Sequence, residues 1–374
     1  MSPEPRQLAI LVSFSGSGGV ERVVLNLLQG LAAHDIQVDL LAVVTKKGWL
    51  PEIPWPNIRV IEFKAKGSQK ALPELMQYLR RERPKVLMVA KDRAVRMSVI
   101  AHWLARVDTR LVGQLHMNMT GYLASTPALQ RWTRTLPMRW LFPYLNKIVC
   151  VSQGVVADTV KITGMPRERV IAIHNPVITP ELHRMAEEPV DHPWFKETTV
   201  PVIIGVGRLS PEKDFATLIR AFSRVRESRN CRLMILGEGP LQSHLERLIN
   251  ELGLQYCVAL PGFRANPFAY MKKAALFVFS SAWEGSGNVL VEALALGVPS
   301  VSTDCEYGPR ETLEDGRYGP LVPVGDDEAL AKAMIDTLDN PLPQQILQQA
   351  VTDFTIESST RRYLDVLFSE VQSK

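Results

Sequence analysis

Residues Trp283 to Pro299 read WEGSGNVLVEALALGVP and follow the apolar run Ala275 to Phe279. That run has the length and the β-branched and aromatic content of a buried strand, and Val289 to Leu296 is rich in good helix formers. The pattern predicts a strand, a glycine-rich loop and a helix. Gly285 and Gly287 let the backbone approach a ligand closely, and the N–H groups at Asn288 and Val289 would face an anion with the helix dipole behind them. This is the outline of a phosphate seat. Glu292 lies one turn beyond Asn288 on the same helix face, where its carboxylate could accept from a ribose diol. Glu284 sits in the loop, placed for a hydroxylated group beyond the phosphate such as a sugar. The plainer alternative is a surface helix with two solvated glutamates.

Working outward, Pro201 to Asp214 reads PVIIGVGRLSPEKD. A buried-strand run leads into Gly205 and Gly207, then Arg208 and Lys213 flank a turn at Ser210 and Pro211, and Asp214 is placed to cap a helix from Phe215. Two cations thus stand at the carboxyl end of a strand, where open α/β sheets bind ligands. An arginine fork and a lysine point charge suit a diphosphate and can neutralise it as a leaving group without a metal. Surface pairing of Arg208 and Lys213 with Glu212 and Asp214 is the competing reading.

Together the two segments resemble the retaining family 4 glycosyltransferases of GT-B fold, and the resemblance runs through most of the chain. GVGRLSPEKD is similar to that family's diphosphate-binding segment, and EGSGNVLVEALALGVP to its paired-glutamate signature. Gly18-Gly19-Val20-Glu21-Arg22 resembles the family's first glycine loop, and Asn175-Pro176-Val177 the end of its first domain. The resemblance implies that Arg208 and Lys213 hold the donor diphosphate, that Gly287, Asn288 and Val289 lie beside it, that Glu292 holds the ribose and that Glu284 holds the donor sugar hydroxyls. It also implies that Gly18 and Gly19 line the gap between donor and acceptor, and that His116, after the strand-like Arg110 to Leu115, is the active-site histidine. One departure is Ser286, where family members often carry an aromatic or larger apolar residue.

A chain of 374 residues, 46% hydrophobic and 22% charged, has room for two domains with full cores. Short apolar runs alternate with amphipathic stretches throughout, which predicts an α/β protein of two doubly wound domains. We expect an N-terminal, acceptor-side domain over 1–178, a linker over 179–200, a nucleotide-sugar-binding domain over 201–355 and a C-terminal helix over 356–374. By resemblance that last helix, Glu357 to Gln372, crosses back to pack on the first domain. The polar Met1 to Gln7 predicts no signal peptide, and no apolar run has membrane-spanning length. Cys150, Cys231, Cys257 and Cys305 are far apart and read as reduced thiols of a cytoplasmic protein.

Charge is uneven. Residues 1–180 carry 24 Lys and Arg against 12 Asp and Glu, whereas residues 181–374 carry 19 against 27. Within the basic half, Arg131, Arg134, Arg139 and Lys147 interleave with Trp132, Trp140, Leu141, Phe142 and Tyr144. Basic side chains beside interfacial aromatics suit contact with an anionic membrane surface, and we expect that contact through Arg131, Trp132, Arg134, Arg139 and Trp140. A core-facing aromatic helix with a solvated basic face is the alternative, and Pro137 and Pro143 should limit a long helix there. No nucleic-acid recognition module accompanies the charge, so no nucleic-acid partner is expected.

Other chemistries fit less well. Gly16-Ser17-Gly18-Gly19 with Asp39 suggests a dinucleotide fingerprint, but Glu21 occupies the place of the third glycine. Asp304-Cys305-Glu306 has the outline of a metal-binding carboxylate motif, yet the chain already has two cationic clamps, and it reads as a loop. His102, His174, His183, His192 and His244 lack metal-ligand spacing, so no metal site is expected. The expected activity is transfer of a hexose or N-acetylhexosamine from a nucleotide sugar, UDP-linked by preference and GDP-mannose as runner-up, to a glycan or lipid-linked acceptor. No cofactor beyond that co-substrate is expected. The other class left open is a non-transferring relative, such as a sugar-nucleotide epimerase or a dead-site binding module.

Overall fold

A computed structural model describes residues 7–14, 18–44, 50–124, 126–196 and 199–369. The chain divides into two units, one formed by Met1–Pro176 with Ile356–Lys374 and the other by Val177–Thr355. In the first unit a seven-stranded sheet is built from β1 (Leu8–Phe14), β2 (Val38–Val44), β3 (Ile58–Phe63), β4 (Val86–Ala90), β5 (Arg110–Leu115), β6 (Lys147–Cys150) and β7 (Val170–Ala172), in the order β3-β2-β1-β4-β5-β6-β7. In the second a six-stranded sheet is built from β8 (Val202–Val206), β9 (Arg232–Leu236), β10 (Val258–Gly262), β11 (Leu276–Phe279), β12 (Ser300–Thr303) and β13 (Leu321–Val322), in the order β10-β9-β8-β11-β12-β13. Every pairing among these strands is parallel.

Parallel strands covered by helices on both faces must be apolar on both sides, and β1 and β4 are buried at every residue. The helices show the complementary one-sided pattern. Along Phe215–Ser228, Phe215, Leu218, Ile219, Phe222 and Val225 are buried, and Asp214 caps the helix by accepting from the Thr217 N–H at 3.3 Å and its hydroxyl at 2.7 Å. Strand order reverses between β1 and β4 in one sheet and between β8 and β11 in the other. In a doubly wound sheet each such point leaves a crevice at the carboxyl ends of the strands.

The segment expected to be a linker belongs to the second unit. Thr179 caps a helix over Pro180–Ala186, whose Leu182 and Ala186 are buried, as is Val190 beyond it. The Val177 and Ile178 N–H groups both donate to the Phe354 carbonyl, which ties the segment down at its start. Its Pro, Glu and His content reflects an exposed face; the apolar minority makes the contact. Residues 197 and 198 lie outside the described residues.

The last helix, Ile356–Phe368, packs on the first helix, Gly19–Ala32, within the first unit. Gly30 permits this, because a Cβ there would stand 2.0 Å from Thr360 Oγ1. Tyr363 and Leu367 are fully buried in the same apolar cluster as Leu27, Leu28 and Leu31, and Gln114 Nε2 donates to the Tyr363 hydroxyl at 2.5 Å.

Candidate active site

In the second unit the site is built on three loops that lean on one another at the carboxyl ends of β8, β9 and β11. The Gly207 N–H donates to the Leu236 carbonyl, the Leu209 N–H to the Glu238 carbonyl, and the Leu241 N–H back to Leu209. Two glycines make the approach possible: a Cβ at Gly237, where φ is +145°, would stand 1.9 Å from the Gly207 oxygen, and one at Gly239 would stand 2.3 Å from the Leu209 oxygen. The Gly237-Glu238-Gly239 support is a component that sequence reasoning missed. A glycine pair directly after a strand-like run was the signal.

The turn Pro211–Lys213 then sets the two cations apart. Glu212 accepts from the Ser210 hydroxyl at 2.5 Å, and its carbonyl takes the Ala282 N–H at 2.8 Å, which joins the β8 loop to the β11 loop. With Asp214 committed to its helix cap, neither carboxylate pairs with Arg208 or Lys213. Lys213 instead forms an ion pair with Glu284, across 71 residues of sequence, and its Nζ stands 5.4 Å from the Phe279 ring centroid. Arg208 is exposed: its carbonyl accepts from the Ser210 N–H at 2.9 Å and hydroxyl at 3.3 Å, and its guanidinium forms no hydrogen bond or ion pair with any described residue.

The paired glutamates are not solvated surface groups. Glu284 also accepts from the Ser281 hydroxyl at 2.9 Å, and Glu292 is only 2% exposed. The helix Asn288–Ala295 begins after Gly287, whose φ of +72° is the left-handed conformation that glycine adopts at least cost. A Cβ on Gly287 would also stand 3.2 Å from the Phe279 ring. Asn288 and Val289 therefore open that helix, and Glu292 follows one turn later. Ser286 is buried where the loop after β12 packs on it: a Cβ at Gly308 would stand 2.7 Å from the Ser286 oxygen. In the same loop Asp304 accepts from Arg310 Nε at 3.1 Å, and Glu306 bridges to Trp283. Among the described residues no three of His, Cys, Asp and Glu gather in a metal-binding cluster.

The first unit holds a second constellation at the carboxyl ends of β1, β4 and β5. Gly18 is the N-cap of the first helix, and a Cβ there would stand 2.6 Å from Glu21 Oε2; Gly19 has open space around it. Glu21 is 5% exposed and accepts from Lys91 Nζ at 2.8 Å, and the same ammonium donates to the Ser13 carbonyl at 2.8 Å. Lys91 has φ +75° and ψ +136°, a strained backbone for a residue with a Cβ. His116 is half-buried, with a buried Nε2 that has no hydrogen-bond partner. Burial first, and the Lys91 charge second, push its pKa down to about 3 against a smaller upward pull from Glu21, so the imidazole is neutral at physiological pH. Ser13, Lys91 and His116 line a cavity of about 560 Å³ within this unit.

The basic aromatic segment forms a helix over Ala128–Leu141 that continues through Pro137 and stops short of Pro143, so of the two prolines expected to limit it only the second coincides with its end. Pro137 forfeits one backbone donor without breaking the helix. Trp132 and Trp140 are 60% and 71% exposed, with Arg131 and Arg139 exposed beside them. Trp103, 73% exposed on the helix Asp92–Ala105, adds to the exposed aromatics and was not singled out from sequence. Arg134 differs from its neighbours: it lines the cavity with its guanidinium 4.9 Å from the Tyr122 ring centroid. None of the described helices is long and apolar enough to cross a membrane.

Comparison with known proteins matches both units. Residues 17–180 match the profile of Glycosyltransferase Family 4, and residues 200–340 that of Glycosyl transferases group 1. The chain is 28% identical over 344 residues to the N-acetylgalactosamine-N,N'-diacetylbacillosaminyl-diphospho-undecaprenol 4-alpha-N-acetylgalactosaminyltransferase of Campylobacter jejuni, covering 90% of this chain and 91% of that one. It is 28% identical over 365 residues to the lipopolysaccharide core biosynthesis glycosyltransferase LpsE of Rhizobium meliloti, covering 96% and 98%. A glycosyltransferase of Methanocaldococcus jannaschii is 45% identical, over 36% of this chain and 33% of its own length. Among solved structures, the lipopolysaccharide outer core galactosyltransferase WaaB superposes with a TM-score of 0.75 at 18% identity, covering 98% and 99%. HepE of Anabaena, solved with UDP, superposes with a TM-score of 0.75 at 19% identity, covering 97% and 100%.

Proposed function

The chain belongs to the family 4 glycosyltransferases of GT-B fold, and from that premise we propose that it moves a hexose or N-acetylhexosamine from a UDP-sugar, with retention of configuration, to a glycan or lipid-linked acceptor of a bacterial surface polysaccharide or lipopolysaccharide. The observation that carries the donor reading is the Lys213–Glu284 ion pair beside the β8/β11 switch point, with the unpaired Arg208 on the same loop. The nucleotide assignment is supported by HepE, solved with UDP and with UDP-glucose, and the acceptor class by one relative named for lipopolysaccharide core biosynthesis and another named for a diphospho-undecaprenol compound.

On this reading Arg208, Lys213 and the start of the helix at Asn288 and Val289 stabilise the charge that develops on the departing diphosphate, where one positioned donor is worth roughly a hundredfold in rate. Glu292 holds the ribose. Glu284, already an acceptor for Lys213 and Ser281, takes hydroxyls of the transferred sugar, which suits a positioning carboxylate better than a covalent nucleophile. A neutral His116 orients the sugar by hydrogen bonding, and Gly18 and Gly19 leave the donor–acceptor gap clear. Because fixed cations meet the diphosphate charge, the proposed reaction needs no metal ion and no cofactor, and excess chelator should leave turnover intact.

The exposed Arg131, Trp132, Arg139 and Trp140 would hold the enzyme at the cytoplasmic face of an anionic membrane, near a lipid-linked acceptor. Salt-sensitive sedimentation with anionic vesicles, lost on Trp132→Ser with Trp140→Ser, is the expected result. For the reaction itself, calorimetric screening of UDP- and GDP-sugars followed by NMR of the product is decisive. Binding of a UDP-sugar and an axial linkage retained from the donor are expected. Conversion of the donor to an isomer without acceptor would replace this reading with an epimerase, and tighter binding of GDP-mannose would make the enzyme a mannosyltransferase.

A further inference from the structure

We propose that the cavity of the first unit, on the acceptor side in the transferase reading, selects a phosphate-bearing acceptor, with Lys66, Lys70, Arg93 and Arg134 reading the phosphate. The inference rests on the transferase reading and adds to it the chemical class of the acceptor. At about 560 Å³ the cavity is the size of a site for a drug-sized ligand. Its wall carries the four named cations together with Lys91, against two acids, Asp92 and Asp158.

The ion pairing within that wall is uneven. Lys91 is committed to Glu21, and Asp92 to Arg96 at 3.0 Å one turn along its helix. Asp158 accepts from the Met119 and Thr120 N–H groups and from the Thr120 hydroxyl. Lys66, Lys70, Arg93 and Arg134 form no ion pair with any described residue. They also come from three separate elements, the loop between β3 and the helix Leu72–Glu82, the start of Asp92–Ala105, and the middle of Ala128–Leu141. A solvated helix face would place its charges on one element; these converge on one concavity. Arg134 places its guanidinium carbon over the Tyr122 ring, a contact that uses none of its N–H donors.

A neutral glycan acceptor gains little from four uncompensated cations, and a single carboxylate answers one of them. A phosphate or diphosphate, with up to two or more negative charges and several acceptor oxygens, matches arginine forks and lysine point charges together. Such a group could sit at the lipid end of a lipid-linked acceptor or on a phosphorylated glycan. Met117 and Met119 on the same wall offer apolar surface to the remainder of either.

Calorimetry tests this with UDP present at saturation, so that phosphate probes do not report on the diphosphate seat of the second unit. The probes are geranyl diphosphate against geraniol for the lipid source, and glucose 6-phosphate against glucose for the glycan source. One phosphate probe should bind at least about tenfold tighter than its neutral counterpart, with the loss on Lys66→Gln, Lys70→Gln and Arg93→Gln at about tenfold for each cation removed. Arg134→Gln provides an independent variant on a different element. UDP affinity should not change in any of them. Equal binding of phosphate and neutral probes, or variants that bind like the unaltered chain, overturns the acceptor assignment. Loss of UDP binding by the unaltered chain would instead overturn the transferase reading while leaving the phosphate measurement standing.

Discussion

On the proposed reading Lys213 serves two partners, a diphosphate to be bound and the Glu284 carboxylate with which it pairs, and that double duty sets its mutational signature. Removing it leaves Glu284, with 16% of its side chain exposed, without its counter-charge, so Lys213→Ala should lower turnover more than Arg208→Ala does, by about a thousandfold against about a hundredfold. The Lys213→Ala, Glu284→Gln double variant should lose far less than the sum of the two single losses, as steady-state kinetics would read. Full additivity would remove the pair from the mechanism. Glu292→Gln, by contrast, should weaken free UDP and UDP-sugar alike. His116 carries a pH signature of the opposite kind. Its folded pKa of about 3 lies below an unfolded value near 6.5, so only the unfolded chain takes up that proton as pH falls between the two, and stability drops across that window. Thermal melts of His116→Gln should show a shallower acid loss than the unaltered chain. The difference isolates His116, because His102 and His192 are shifted down by burial as well. Arg208, Lys213, Glu284 and Glu292 were legible as residue types at motif spacing. Their pairing was not, since Glu212 and Asp214 are nearer in sequence to Lys213 than Glu284 is, and only the packed loops reveal that both are occupied elsewhere.

At the scale of elements, buried central strands were easy to read, and of the four edge strands only β10 was, from the apolar run Val258 to Leu260. The apolar runs Leu8 to Phe14, Val38 to Val44, Val86 to Ala90, Arg110 to Leu115, Val202 to Val206, Arg232 to Leu236 and Leu276 to Phe279 read as strands, and β1, β2, β4, β5, β8, β9 and β11 occupy them. β3, β7 and β13 went unread, and each is an edge strand: β3 is buried only at its two ends, β7 has three residues and β13 two. An edge strand contacts one neighbour and fewer helices, so it needs less apolar content to hold its place. Loops carry the remaining uncertainty, because glycine spacing signals a close approach without saying to what. The Gly237 loop illustrates the cost of that approach. Gly237→Ala would combine a positive φ with a Cβ 1.9 Å from the Gly207 oxygen. It should destabilise the protein by about 3 kcal/mol and displace Arg208 from its position. Denaturant melts and UDP calorimetry on the same variant would separate the two effects, and an unchanged melt would contradict the packing described for these loops.

For the whole molecule, the division into a basic and an acidic half coincides closely with the division into units, but the chain does not divide once. It leaves the first unit after Pro176 and returns to it at Ile356. Ending the chain at Thr355 should therefore damage the unit farthest from the cut in sequence. It removes the fully buried Tyr363 and Leu367, each worth about 1.5–3 kcal/mol, from a domain whose total stability is about 5–15 kcal/mol. Protease susceptibility should rise within residues 7–176 and change little within residues 199–354, as limited digestion with mass spectrometry would show. The same returning helix dictates an order of events during synthesis. A ribosome that has made the first 176 residues has made a sheet lacking the helix that covers Gln114 and the face of Gly19–Ala32, and it must add the 179 residues of the second unit before that helix emerges. At about 5–20 residues per second, the nascent chain spends roughly 10–40 seconds in that condition. The first unit, first to be translated, is the last to close, and its unfinished apolar face is the one a chaperone would meet.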